Sequence, residues 1–208
     1  MARKASQGIF GGCCLILLFA AACGSVHTTQ YVLDFTDDAP GWFLPVEARL
    51  NAQVENGYLS LSLKPPGMVG WALSPFAFRD GQVEVEGTLL KGPFSTDYGL
   101  ILHADRGRFY RFVISADGHY AVFFYDRSSW RNLVDWATHP AIRTGRTTNH
   151  LRVRSTGSEM IFWVNGVEIA RLARDPNVES GRVGVSIGTM AGGNAQVAFD
   201  RFLAVRDR

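Results

Sequence analysis

"DYGLILHADRGRFYRFVISADGHYAVFFYD" (residues 97–126) is the stretch whose reading decides the fold. Apolar and polar side chains alternate with period two through 98–104, 108–116 and 119–126, and β-branched and aromatic residues dominate, which is the signature of strands. Asp117-Gly118 falls between the second and third runs, and such a dipeptide supplies the positive-φ residues of a tight hairpin. Antiparallel pairing follows. On the middle strand, turning Tyr110, Phe112 and Ile114 toward a core leaves Phe109, Arg111, Val113 and Ser115 on the other face, because successive side chains point to opposite sides. The same logic buries Leu100 and Leu102 and displays His103. It also buries Tyr120, Val122 and Phe124 and displays Phe123 and Tyr125.

Outward from this stretch the pattern repeats at 58–64, 82–90, 151–155, 160–164, 167–172, 182–188 and 195–205. Asn56-Gly57, Asp80-Gly81 and Asn165-Gly166 are the remaining turn dipeptides, the last of them a second hairpin. Nothing comparable supports a long helix. So many strands in one chain need a layered or closed arrangement, since a single open sheet leaves one apolar face wet. The expectation is an all-β, two-sheet antiparallel sandwich. No segment recurs with the fixed period of a solenoid or propeller.

The N-terminus reads differently. Arg3 and Lys4 precede an apolar run from about Ile9 to Ala22, too short to span a bilayer comfortably and suited to a secretory signal. Ala20, Ala21 and Ala22 then lead into Cys23, which resembles a bacterial lipoprotein signal, with Ala20 where Leu is usual. On this reading residues 1–22 are removed, Cys23 is lipidated, 23–30 form a short tether and 31–208 form the domain. Cys13 and Cys14 leave with the peptide, so the domain carries no free thiol. An ordinary signal peptide, or an anchor that is never cut, is the competing reading. The chain is expected to be exported and held at the cell envelope, facing away from the cytoplasm, because two acyl chains anchor a protein stably.

Removing Arg3 and Lys4 from the 21 basic residues leaves 19 against 19 acidic ones. A balance near zero argues against nucleic-acid binding, whose affinity rests on many Lys and Arg contacts to phosphates. The five histidines, at 27, 103, 119, 139 and 150, show no metal-ligand spacing. No nucleophile and base pair stands out either.

The ordered segments "DFTDDAPGW" (34–42), "VENGYLSLSLKPPG" (54–67), "FRDGQVEVEG" (78–87), 97–126, "WRNLVDWATHPAIRTG" (130–145), "NHLRVRSTGSEMIFWVNGVEI" (149–169), "GRVGVSIGT" (181–189) and "VAFDRFLAV" (197–205) resemble bacterial extracellular domains of the concanavalin A-like lectin and glucanase superfamily. They are nearest to the group described as 3-keto-disaccharide hydrolase-like. The resemblance implies a jelly roll whose concave face holds sugars in those relatives that act on them.

His103, Arg111 and Tyr125 would line that face, joined by Trp130 and Trp136. Sugar recognition needs this mix, because apolar ring faces pack on aromatics while hydroxyls take directed hydrogen bonds. Each residue also has a plainer reading, as core, rim or solvated neighbour.

The glucanases of the superfamily carry acids at alternate strand positions followed by a third. Glu84 and Glu86 are so spaced, but Gly87, Thr88 and Leu89 follow, and the glutamates fit a solvated face with Val83 and Val85 inward. No catalytic residue is assigned. The resemblance also allows a structural calcium on the convex face through Asp200, with Asp37 or Asp38 nearby; otherwise Asp200 hydrogen-bonds a turn. Calcium seeks six to eight oxygens, so the acids alone are a thin ligand set. No other cofactor is expected.

The expected function is a lipid-anchored, non-catalytic carbohydrate-binding domain, a monomer, whose partner is a carbohydrate or envelope glycan. The alternatives are a glycoside hydrolase or lyase acting on a disaccharide-like substrate, and a protein-interaction module using Trp42, Trp71 and Trp130.

Overall fold

The computed structural model describes residues 29 to 207; the segment read as a signal and Cys23 lie outside the described residues. The strands are β1 (Thr29–Leu33), β2 (Leu50–Glu55), β3 (Tyr58–Leu63), β4 (Val69–Phe78), β5 (Gly81–Lys91), β6 (Asp97–Asp105) and β7 (Arg108–Ser115). They continue with β8 (His119–Asp126), β9 (Ser129–Thr138), β10 (Asn149–Ser155), β11 (Glu159–Val164), β12 (Val167–Ala173), β13 (Gly181–Gly188) and β14 (Ala195–Arg206). One sheet of eight strands runs β12-β11-β10-β5-β14-β3-β2, with β1 added along β14. The other, of six, runs β4-β13-β6-β7-β8-β9.

Every segment read as a strand is one. β1, β2, β4 and β9 are additional, and β1 opens at Thr29, inside the stretch read as tether. β2 makes Asn56-Gly57 a hairpin as well, with φ of 52° and 80°, the left-handed pair that matches the twist of antiparallel strands. β4 and β9 escape a pattern search because β4 contains Pro75 and β9 is an edge strand with mostly exposed or half-buried side chains.

Alternation builds the core. Leu100, Leu102, Tyr110, Phe112, Ile114, Val122 and Phe124 of the six-stranded sheet face Leu59, Leu61, Val83, Val85, Val153, Phe162 and Phe199 of the other, all buried. Phe112 and Phe162 meet across the layers at 5.2 Å. Each large side chain so buried contributes about 1.5–3 kcal/mol.

The alternation also slips. In β14, Val197 and Phe199 point inward, and then so do Phe202 and Ala204, because the register shifts at Asp200-Arg201 and Arg201 takes φ of 50°. One inserted residue reverses the face of everything after it.

Candidate functional site

The outer face of the six-stranded sheet carries the polar and aromatic side chains that alternation sends away from the core. Arg111, in the middle of β7, is the pivot, and it is only 2% exposed. Its Nε–H donates to Ser186 Oγ on β13 at 3.0 Å, and its Nη2 pairs with Asp97 at the start of β6. Gly188, on the same face of β13 as Ser186, makes room for this pair: a methyl group there would collide with the Asp97 carboxylate and the Arg111 guanidinium. Among the described residues Arg111 Nη1 and Asp97 Oδ2 have no hydrogen-bond partner, and neither is sealed from solvent.

Above this pair lies a cavity of about 560 Å³, walled by Phe123, Trp130 and Trp136 on one side and by Met68, Thr189 and Met190 on the other. Asn132 reaches the same space, its amide donating to Asp135 at 2.8 Å. The aromatic wall is part of a continuous array. Trp71 meets Phe109 at 5.3 Å, Phe109 meets Tyr125 at 5.1 Å, Tyr125 meets Trp130 at 4.8 Å, and Phe123 meets Trp136 at 5.7 Å. Tyr125 thus backs Trp130 instead of lining the cavity, and its hydroxyl donates to the Arg127 carbonyl at 3.0 Å.

β9 holds its tryptophans outward by slipping twice. Its register against β8 shifts between Phe123 and Val122 and again between Val122 and Tyr120. The first slip turns Val134 into the core, and the second returns Trp136 to the cavity side, where Trp130 and Asn132 already lie.

No protein-family model matches the chain, and no curated protein sequence does. In three dimensions it is similar to the carbohydrate binding module CBM66 from Bacillus subtilis, at 16% identity and a TM-score of 0.60 over 80% of this chain and 94% of that one. It is similar to a Bacillus licheniformis β-glucanase, at 12% identity and a TM-score of 0.65 over 86% and 98%. A protein of unknown function with a galectin-like fold from Bacillus subtilis gives 13%, 0.63, 85% and 96%. The fold is a concanavalin A-like sandwich. At these identities the likeness speaks for the fold alone.

Within this sandwich several expected residues take other places. His103 is not displayed on the outer face. A register shift after Leu102, with φ of 54° at His103, turns the imidazole between the sheets, where its Nε2 lies 2.9 Å from Ser155 Oγ and its ring meets Phe78 and Tyr110 edge-on. Burial, and then the Arg174 charge, pushes its pKa down to about 4. Trp42 is not an exposed contact either. It is buried against Phe35 and Phe202, its indole N–H donating to Tyr31 at 3.0 Å. Trp71 is half-buried against Phe109, and Trp130 is exposed.

Glu84 and Glu86 lie on the outer face of the eight-stranded sheet, on the opposite side of the sandwich from the cavity. They pair with His150 at 2.8 Å and Arg201 at 2.9 Å. Asp200, in the bulge of β14, accepts from the Arg201 backbone N–H at 2.7 Å. Asp38 does the same with Ala39, also at 2.7 Å. Among the described residues no three His, Cys, Asp or Glu side chains gather at one place.

Asp97, Ser186 and Gly188 were not legible as site residues. The one signal was the small side chains on one parity of β13, in which Gly184, Ser186 and Gly188 alternate with Val183, Val185 and Ile187 of the core.

Proposed function

We propose that this chain is a lipid-anchored, extracytoplasmic carbohydrate-binding domain that acts as a monomer and without catalysis, and that its ligand is a glycan seated over Arg111. The observation that carries the reading is the open edge of the Arg111–Asp97 pair beside the wall that carries the two indoles. A sugar hydroxyl both donates and accepts. Asp97 Oδ2 can only accept and Arg111 Nη1 can only donate, so two neighbouring hydroxyls satisfy both while an apolar ring face packs on Trp130 or Trp136. Arg111 is prepositioned by Ser186 and Asp97, so binding spends little freedom on ordering it.

The absence of a second acid at this place supports binding over hydrolysis. Asp97 is the one carboxylate lining the cavity among the described residues, and it is already paired. Glycosidases of the usual kinds flank the scissile bond with two carboxyl groups. The 3-keto-disaccharide resemblance fits the same groove with a sugar as ligand.

A glycan array and polysaccharide-retardation gels with the full-length protein, beside Trp130→Ala, test the reading. Retention that Trp130→Ala abolishes without lowering the melting temperature is the expected result. Retention by no glycan would sink it. For the anchor, Cys23→Ser is expected to leave the membrane fraction, and equal partitioning of the two proteins would reject lipidation.

A further inference from the structure

A second cavity, of about 210 Å³, lies beside the first and shares Trp136 and Met190 with it as a common wall. At about 30 Å³ per liquid water it has the room of about seven waters, the scale of one small ring. Its other lining residues are Ser95, Ser115, Asp117 and His119.

The two floors also join. Asp97, which lines the first cavity, is the direct cross-strand partner of Ser115, which lines the second. Directly opposed residues hold their Cβ atoms about 5 Å apart. The polar floor therefore continues from Arg111 and Asp97 to Ser115, Asp117 and His119.

The second cluster is built around one carboxylate oxygen. Ser115 Oγ donates to Asp117 Oδ1 at 2.5 Å, and His119 Nδ1 lies 2.9 Å from the same atom. A carboxylate only accepts, so Nδ1 carries the proton of this contact. Burial alone would raise the Asp117 carboxyl, but the hydrogen bonds from Ser115 and His119, with the His119 charge, hold it below its ordinary value. Among the described residues Asp117 Oδ2 and His119 Nε2 have no hydrogen-bond partner. These groups hold one another in place, yet their outward edge offers the same hydroxyl-matching chemistry as the Arg111–Asp97 edge. Exposed Met190 borders it with apolar surface.

We propose that Ser115, Asp117 and His119 form a second polyol subsite, so that the groove takes a glycan of at least two units, with one ring on each side of Trp136. This rests on the carbohydrate reading of the first cavity.

The test is calorimetric titration of the full-length protein with gluco-, galacto-, manno-, fructo- and N-acetylglucosamine oligosaccharides of one to four units. For the series that binds, affinity is expected to rise about tenfold or more from one unit to two. Asp117→Ala and His119→Gln are expected to remove that increment while leaving single-unit affinity within about twofold of wild type. Equal affinity for one and two units would overturn the second subsite and leave the first intact. An increment that survives both variants would also overturn it. Loss of single-unit binding in Asp117→Ala would overturn it by making Asp117 a support of the first cavity. If no sugar of any series binds, the carbohydrate reading itself falls and takes this one with it.

Discussion

Arg111 reaches from β7 across β6 to Ser186 on β13, two strands away, with 3.0 Å between Nε and Oγ, while the same guanidinium holds Asp97. Because the pair is buried, its members depend on each other for charge. Arg111→Met or Asp97→Leu alone is expected to cost about 3–5 kcal/mol by stranding the other charge, whereas the double variant recovers much of the loss. Urea unfolding of the three variants checks this. Single variants no worse than the double one would mean that the pair is effectively solvated.

Trp130 separates binding from stability. It is 42% exposed and rests on Tyr125 and Phe109, so truncating it opens no sealed cavity. Trp130→Ala is expected to lower stability by no more than about 1 kcal/mol. In affinity gels the same variant is expected to lose glycan retention by about tenfold or more. A folded variant with full retention would move the contact surface elsewhere.

His103 predicts an acid-sensitive fold. Its pKa lies at about 4 in the folded chain against an ordinary value of 6.5. As pH falls through 6.5 the unfolded chain takes up a proton that the folded chain refuses until about 4. Stability is therefore fully present above 6.5 and drains away as pH drops toward 4, by at most about 3 kcal/mol. His103→Asn is the informative variant, since Asn tolerates the positive φ at this position. It is expected to be less stable than wild type at neutral pH but to have a shallower decline below pH 6.5. Unfolding midpoints across that range decide it, and an unchanged slope would assign the acid response to other groups.

Glu84 and Glu86 should be silent in the groove. Both sit on the far sheet in partly exposed polar contacts, Glu84 with His150 and Glu86 with Arg201, and surface contacts of this kind contribute about 0–1 kcal/mol. Glu84→Gln and Glu86→Gln are expected to leave glycan retention unchanged. A loss of retention in either would place the ligand on the eight-stranded face.

Much of the fold was legible because its cause is local. Tyr110, Phe112 and Ile114 alternate with Phe109, Arg111 and Val113, and the structure puts the two sets on opposite faces, the first in the core between the sheets. Asp117-Gly118 and Asn165-Gly166 turn their chains where their conformational preferences say they should. The site was legible only in outline. Arg111, Trp130 and Trp136 meet at one cavity, but Tyr125 stands behind the wall and His103 sits on the other side of its sheet. Asp97 gave no sign of its role, because an acid at the start of a strand is ordinarily a solvated end and becomes a buried partner only when a neighbouring strand brings Arg111 to it.

The sequence by itself determined that this chain is a sandwich of antiparallel strands and which side chains on most of them face inward, since period-two alternation and turn chemistry act within a few residues. The tertiary structure alone decided where that alternation breaks. The slips at His103, at Val134 and Trp136, and at Asp200-Arg201 each add a residue against a neighbouring strand and reverse the faces that follow. A strand cannot signal such a slip on its own, because the slip is a property of the pairing, and the pairing joins residues far apart in the chain.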